Sequence, residues 1–135
     1  PPPNLACRCF THSTETILWA KKNDKKSRHF FDYQKMKEMN GEKQMKDVWT
    51  GALTKPSEKT EGKHPTQKPE YLLEKIVLAS TEEGQVILDP FCGSGTTGVE
   101  AVRFGRKFIG IDVSEEYLEI SKRRLEKVYG DAKEY

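Results

Sequence analysis

Cysteine is scarce in this chain and uneven in number: Cys7, Cys9 and Cys92 are all there is. An odd count argues against a disulfide framework and suits a reducing compartment. A zinc centre is not expected either. Cys7 and Cys9, with His12 close by, form a Cys-x-Cys pair tighter than the spacing of zinc ligands, and a fourth ligand is missing. No apolar run approaches the roughly 18 to 20 residues of a membrane helix, which excludes a spanning segment. The opening Pro1-Pro2-Pro3-Asn4 has neither a basic leader nor an apolar stretch, so no secretory signal is expected. An initiating Met is lacking too, as in a fragment or a processed piece.

The 135 residues suffice for one modest domain. Apolar residues make up 35% and charged residues 33%, so the core must come from a few concentrated segments. The net charge of +2 hides an asymmetry. Residues 21–63 carry 12 Lys/Arg against 7 Asp/Glu, whereas residues 64–135 carry 10 against 13. A basic block beside a mildly acidic one suggests that the first meets a polyanion. The alternative is a lysine-rich solvated surface.

Residues 15–20, Glu-Thr-Ile-Leu-Trp-Ala, read as a short buried strand. Residues 21–63 show no sustained period and hold isolated large side chains, among them Phe30, Phe31, Tyr33, Met36, Met39 and Trp49; they read as a long irregular insertion. Trp49 and the Phe30-Phe31-Tyr33 group are weighted as packing anchors above base-stacking residues. Pro65 and Pro69 then bracket a stiff turn. Pro69 suits the first position of a helix running to about Ser80, with Leu72, Leu73, Ile76, Val77 and Ala79 as its apolar face. Val86-Ile87-Leu88 predicts a strand buried on both faces of a parallel sheet. A helix from about Thr96 to Phe104, closed by Gly105, leads to a second strand, Phe108-Ile109-Gly110-Ile111. Ser114 can cap a last helix, with Glu115 and Glu116 at its positive end and Lys122, Arg123, Arg124 and Lys127 at its negative end. The whole is one βαβ unit with flanking helices.

Between the strands stands Asp89-Pro90-Phe91-Cys92-Gly93-Ser94-Gly95-Thr96-Thr97-Gly98. Gly93, Gly95 and Gly98 match the dinucleotide pattern G-x-G-x-x-G, which is weak alone. Asp89 decides the matter, because a carboxylate at that strand end repels a pyrophosphate on the helix N-terminus. It attracts a cationic ligand, and S-adenosylmethionine carries an ammonium and a sulfonium but no phosphate. No Lys follows the glycines, so a Walker loop is excluded. Asp112, 23 residues beyond Asp89, occupies the position of a ribose-binding acid; the alternative is a plain turn residue.

The run from Asp89 to Thr97 resembles the cofactor loop of the amino-methylating DNA methyltransferases. His64-Pro65-Thr66-Gln67-Lys68-Pro69 resembles the segment preceding that loop in their β-class order, and residues 11–20 are similar to the strand that leads into target recognition. The resemblance implies an α/β, Rossmann-like methyltransferase fold, here its C-terminal half, with a mostly parallel sheet and a target-recognition insertion. Residues 1–20 would belong to the catalytic-domain sheet, 21–63 to the insertion and 64–135 to the cofactor-binding region. Asp89, Phe91, Cys92, Gly93, Ser94 and Gly95 would line the methionine end of S-adenosylmethionine. The amides of Ser94 to Thr96 would approach its carboxylate, with Thr66 and Lys68, and Asp112 would take the ribose hydroxyls. Lys21, Lys22, Lys25 and Lys26 would contact double-stranded DNA. Expected too are a prokaryotic or phage cytoplasm, nucleoid association, and as partner a second copy or a missing N-terminal half.

One departure is serious. The family's catalytic tetrapeptide, Asp/Asn/Ser-Pro-Pro-Tyr/Phe/Trp, holds the flipped base, and Pro1-Pro2-Pro3-Asn4 does not supply it. No catalytic residue is therefore assigned, and the catalytic loop is expected N-terminal to Pro1. The expected activity is site-specific methylation of an exocyclic base amine, with adenine preferred over cytosine. The alternative is a noncatalytic nucleotide- or nucleic-acid-binding module that retains the βαβ unit.

Overall fold

The computed structural model describes residues 10–11, 13–22 and 28–131. Pro1 to Asn4, Cys7, Cys9, His12, Lys25 and Lys26 lie outside the described residues, and with them the expectations placed there. In chain order the elements are α1 (Tyr33–Met39), a 3-10 turn (Pro56–Lys59), α2 (Glu70–Ser80), β1 (Val86–Asp89), α3 (Thr96–Arg103), β2 (Lys107–Gly110) and α4 (Glu115–Asp131). β1 and β2 pair in parallel, Val86 opposite Lys107 and Asp89 opposite Gly110, with α3 as the crossover. This is the α/β arrangement expected of the glycine-loop region. Among the described residues no helix is long and apolar enough to cross a membrane.

α3 sits at the centre, packed on both strands, on α2 and on α4. Val99 and Ala101 of α3 are buried, as are Val77, Leu78 and Ala79 of α2 and Ile120 of α4. Burying a side chain the size of Val99 contributes about 1.5–3 kcal/mol. Gly98 lets the Phe108 ring come close to α3, since a Cβ there would fall 2.5 Å from it. Arg106 ties the α3–β2 turn to the end of α2, donating to Thr81 Oγ1 at 3.0 Å and to the Thr81 carbonyl.

Four sequence expectations need correction. Residues 15–20 form no strand: Leu18 is 89% and Trp19 61% exposed. A strand needs a ladder partner, and among the described residues only β1 and β2 pair. Within the insertion, residues 33–39 are helical. Asp32 caps α1 by accepting from the Lys35 amide at 2.8 Å, and Met36 packs on Leu78 and Ala79. Seven residues are two turns, too few to show a period in sequence. The strands are covered on one face only, with Val86 at 57% and Leu88 at 59% exposed, because a short apolar run does not reveal whether one face or two are covered. Finally, α4 continues to Asp131 and its last turn holds no basic residue. Lys122, Arg123, Arg124 and Lys127 stand mid-helix, where Arg123 and Lys127 reach the turn at Thr60 and Glu61. The remaining boundaries shift by a residue: Pro69 is the extended residue preceding α2, and the helix begins at Glu70.

Candidate cofactor site

Where β1 ends, the chain turns sharply and enters α3. Ile111 donates to the Asp89 carbonyl and Cys92 to the Ile111 carbonyl, each at 2.9 Å, so the turn starts out tied to the segment after β2. Gly93 and Gly95 take the left-handed conformation, at φ 51° and 77°. Both are also tight: a Cβ on Gly95 would meet Ser121 Oγ at 2.1 Å, and one on Gly93 would meet His64 Nε2 at 2.9 Å. The turn is thus wedged between α4 and His64.

Two carboxylates flank it. Asp89 accepts from the Phe91 amide (3.1 Å) and the Thr97 hydroxyl (2.6 Å). Asp112 accepts from the Gly93 amide (2.8 Å) and the Ser114 amide (2.9 Å). The Ser114 and Gly93 amides hold the Asp112 carboxyl below the usual carboxylate range, so it is ionised at neutral pH. Burial pushes the Cys92 thiol up, and the charges of Asp89 and Asp112 push it further. Cys92 is therefore a neutral packing group here rather than a nucleophile. Among the described residues, neither Asp89 nor Asp112 enters an ion pair. Two carboxylates without an ion-pair partner, one at the end of β1 and one just past β2, favour a cationic ligand and disfavour phosphate.

Beneath the turn lies a buried guanidinium. Arg124, only 6% exposed, donates to the Ser94 carbonyl (2.8 Å), Ser94 Oγ (3.3 Å) and Thr96 Oγ1 (2.9 Å). Its other nitrogen meets Glu70 Oε1 at 3.0 Å. Glu70 also binds Arg103 at 3.1 Å, and its amide donates to Glu58 Oε2 at 2.9 Å. Gln67 extends the chain of contacts: its Nε2 donates to the Glu58 carbonyl at 2.6 Å, and its own carbonyl accepts from Thr54 Oγ1 at 2.6 Å. Three helices and the end of the insertion are thereby tied to one glycine turn.

A family model described as DNA methylase, of the N6/N4 methyltransferase type, matches residues 1–123. The chain belongs to the N6/N4 DNA methylase family. It is 73% identical over 127 residues to the Type II methyltransferase M2.LlaDCHI of Lactococcus lactis subsp. cremoris, a match covering 94% of this chain and 47% of that protein. Against the Type II methyltransferase M2.DpnII of Streptococcus pneumoniae the figures are 72% over 126 residues, 93% and 47%. The chain thus spans about half the length of the curated relatives it matches. Among solved structures, the M1.HpyAVI–SAM complex is 45% identical, with a TM-score of 0.44 over 47% of this chain and 33% of that one.

Not every expected site residue of this methylase chain converges on the turn. Asp89, Cys92, Gly93, Ser94, Gly95, Thr96 and Asp112 do. Phe91 belongs to the turn but projects into solvent, 88% exposed. The hydroxyls of Ser94 and Thr96 are taken by Arg124, and the Gly95 amide by the Cys92 carbonyl at 2.8 Å. Thr66 faces His64, its amide donating to Nδ1 at 3.2 Å, so His64 orients its own motif. The His64 ring packs 4.2 Å from Tyr117. Lys68 pairs with Glu15 Oε2 at 2.6 Å, an exposed pair worth little. Lys21 and Lys22 are exposed.

Glu70 and Glu58 were not singled out in the sequence, and Arg124 and Gln67 were named there without these partners. A signal for Arg124 existed, since it stands at helical spacing from Tyr117, Ile120, Ser121 and Val128, which form the covered side of α4. A charged residue on a covered face needs a partner, and Glu70 at the start of α2 supplies it.

Proposed function

We propose that this chain is the cofactor-binding and target-reading part of a DNA amino-methyltransferase that transfers a methyl group from S-adenosylmethionine to an exocyclic base amine in duplex DNA, adenine foremost. The observation that carries this reading is the pair of carboxylates, Asp89 and Asp112, held by amides and a hydroxyl and without an ion-pair partner among the described residues, on either side of a glycine turn. The donor set fits that cofactor. Asp89 and Asp112 suit its cationic centres and its ribose hydroxyls, and the amides of Ser94 and Thr96 suit its carboxylate, that of Gly95 being taken by the Cys92 carbonyl. Bound there, S-adenosylmethionine would supply the electrophilic methyl carbon. The relatives, Type II methyltransferases by name, support the same assignment and a restriction-modification setting.

Residues 21–63 would read the target, and the tetrapeptide that grips the flipped base would stand outside residues 1–135. The open face of β1 and β2, with Val86, Leu88, Ile109 and Ile111 exposed, supports a further part of the protein packing there. Two strands alone are marginal, so the remaining half of the protein, rather than a second copy, is the partner proposed.

Calorimetry on the full-length protein should show S-adenosylmethionine binding and no measurable heat with NAD. Asp89→Asn keeps the size of the side chain that receives the Phe91 amide and the Thr97 hydroxyl, and removes the charge. It should weaken cofactor binding by roughly 1–3 kcal/mol. Tight NAD binding, or an unchanged Asp89→Asn variant, overturns the reading. A second check is competence: residues 1–135 alone should transfer no methyl group to DNA, and the longer parent should. Turnover by the isolated segment would place the active site within it.

A further inference from the structure

Between the end of α1, the turn that follows and the middle of α2 lies a pocket of about 370 Å³. Lys43, Lys46 and Lys75 line it with Asn40, Gln44 and Trp49, and no carboxylate is among the lining residues. The turn carrying two of the lysines is stitched closed. Asn40 Nδ2 donates to the carbonyls of Lys43 (3.1 Å) and Gln44 (3.0 Å), and Trp49 Nε1 donates to that of Lys46 (2.7 Å). The Lys75 ammonium lies over two aromatic faces, 5.3 Å from the Trp49 ring centre and 5.8 Å from that of Tyr71, which fixes it in place. Among the described residues none of the three lysines enters an ion pair.

We propose that this pocket is a binding site for a backbone phosphate of DNA, with Lys43, Lys46 and Lys75 as its cationic donors. Three lysines lining one pocket with no acid among its lining residues make it electropositive, and an anion relieves that field. Two of the lysines stand on the insertion and the third on α2. α2 also carries Glu70, the partner of Arg124, five residues and about 7–8 Å of helix from Lys75. A phosphate held here is therefore registered against the cofactor turn through one rigid helix. The Trp49 N–H is already used by Lys46, so Trp49 shapes the pocket and orients Lys75 rather than reading a base. The proposal rests on the DNA-methylating reading above and adds a named contact point to it, distinct from Lys21, Lys22, Lys25 and Lys26.

The test is lysine acetylation footprinting on the full-length protein, with an oligonucleotide duplex, with inorganic phosphate at millimolar concentration, and with neither. Lys43, Lys46 and Lys75 should be protected by the duplex, cognate or scrambled, and not by inorganic phosphate. In a salt titration, Lys43→Gln and Lys46→Gln should each lower the slope of log affinity against log salt by about 0.9 on both duplexes, with cofactor affinity unchanged. If the parent binds and methylates DNA while these lysines stay equally reactive and the slopes are unaltered, this site is wrong and the activity stands. Equal protection by inorganic phosphate would make it a small-anion site and overturn the proposal. A parent that binds no duplex overturns both.

Discussion

Arg124→Ala is expected to lower folding stability by about 3–5 kcal/mol, the cost of breaking a buried ion pair by removing one partner. Among the described residues the guanidinium alone reaches the Ser94 carbonyl, the Thr96 hydroxyl and Glu70 at once, at 2.8, 2.9 and 3.0 Å. Without it the Ser94 carbonyl is buried with no donor, and Glu70 keeps only Arg103 at 3.1 Å. Arg124→Lys should recover a minor part, because one ammonium does not span three acceptors that a planar fork reaches together. The measurement is the denaturant midpoint of the full-length protein, with the slope of the transition unchanged. A double-mutant cycle with Glu70→Gln should show coupling, since the two side chains touch. A loss below about 1 kcal/mol for Arg124→Ala would mean that the turn holds itself, through Gly93, Gly95 and Asp89 alone.

The same cluster explains what could and could not be read from the sequence. The succession β1, α3, β2, α4 was legible because each boundary is local chemistry. Gly93, Gly95 and Gly105 sit at φ of 51°, 77° and 75°, and Ser114 Oγ accepts from the Tyr117 amide at 3.3 Å. Asp89, Asp112 and the turn between them were legible for a related reason, since they follow from where two short apolar runs stop. Contacts between residues distant in sequence were not legible. Lys68 was expected at the cofactor turn and is paired with Glu15, 53 positions away. Arg124 was assigned to a helix end and serves Ser94, 30 positions away. The strand expected at 15–20 failed on the same ground, because an apolar β-prone run specifies a strand only if a neighbour offers a ladder. α1 failed in the opposite direction: too short for a period, it is held by the Asp32 cap and by Met36 against Leu78 and Ala79, which belong to a helix forty residues on.

Glu100 carries the other large effect, and it is a pH effect. Its side chain is fully buried on α3, one oxygen meets Arg103 at 2.5 Å, and the other has no partner. Burial pushes its carboxyl from an ordinary 4.5 to about 7; Arg103 opposes the shift, and Glu70 and Glu74 of the neighbouring α2 add to it. Because the folded chain holds this proton more tightly than the unfolded chain, stability falls as pH rises. Below pH 4.5 both states are protonated and the group is neutral in its effect. Between pH 4.5 and about 7 the unfolded state ionises first, and the folded state loses roughly 3 kcal/mol relative to it, an amount that then stays constant. Glu100→Gln cannot ionise and leaves the Arg103 acceptor in place, so it should remove this dependence. The quantity to follow is the stability difference between the parent and Glu100→Gln from pH 4.5 to 8, which cancels every other titrating group the two proteins share. The parent should lose ground steadily to the variant up to about pH 7 and no further. A difference that stays flat across that range would show that Glu100 is ionised throughout and that Arg103 alone offsets its burial. Glu100 would then be a plain ion pair with Arg103.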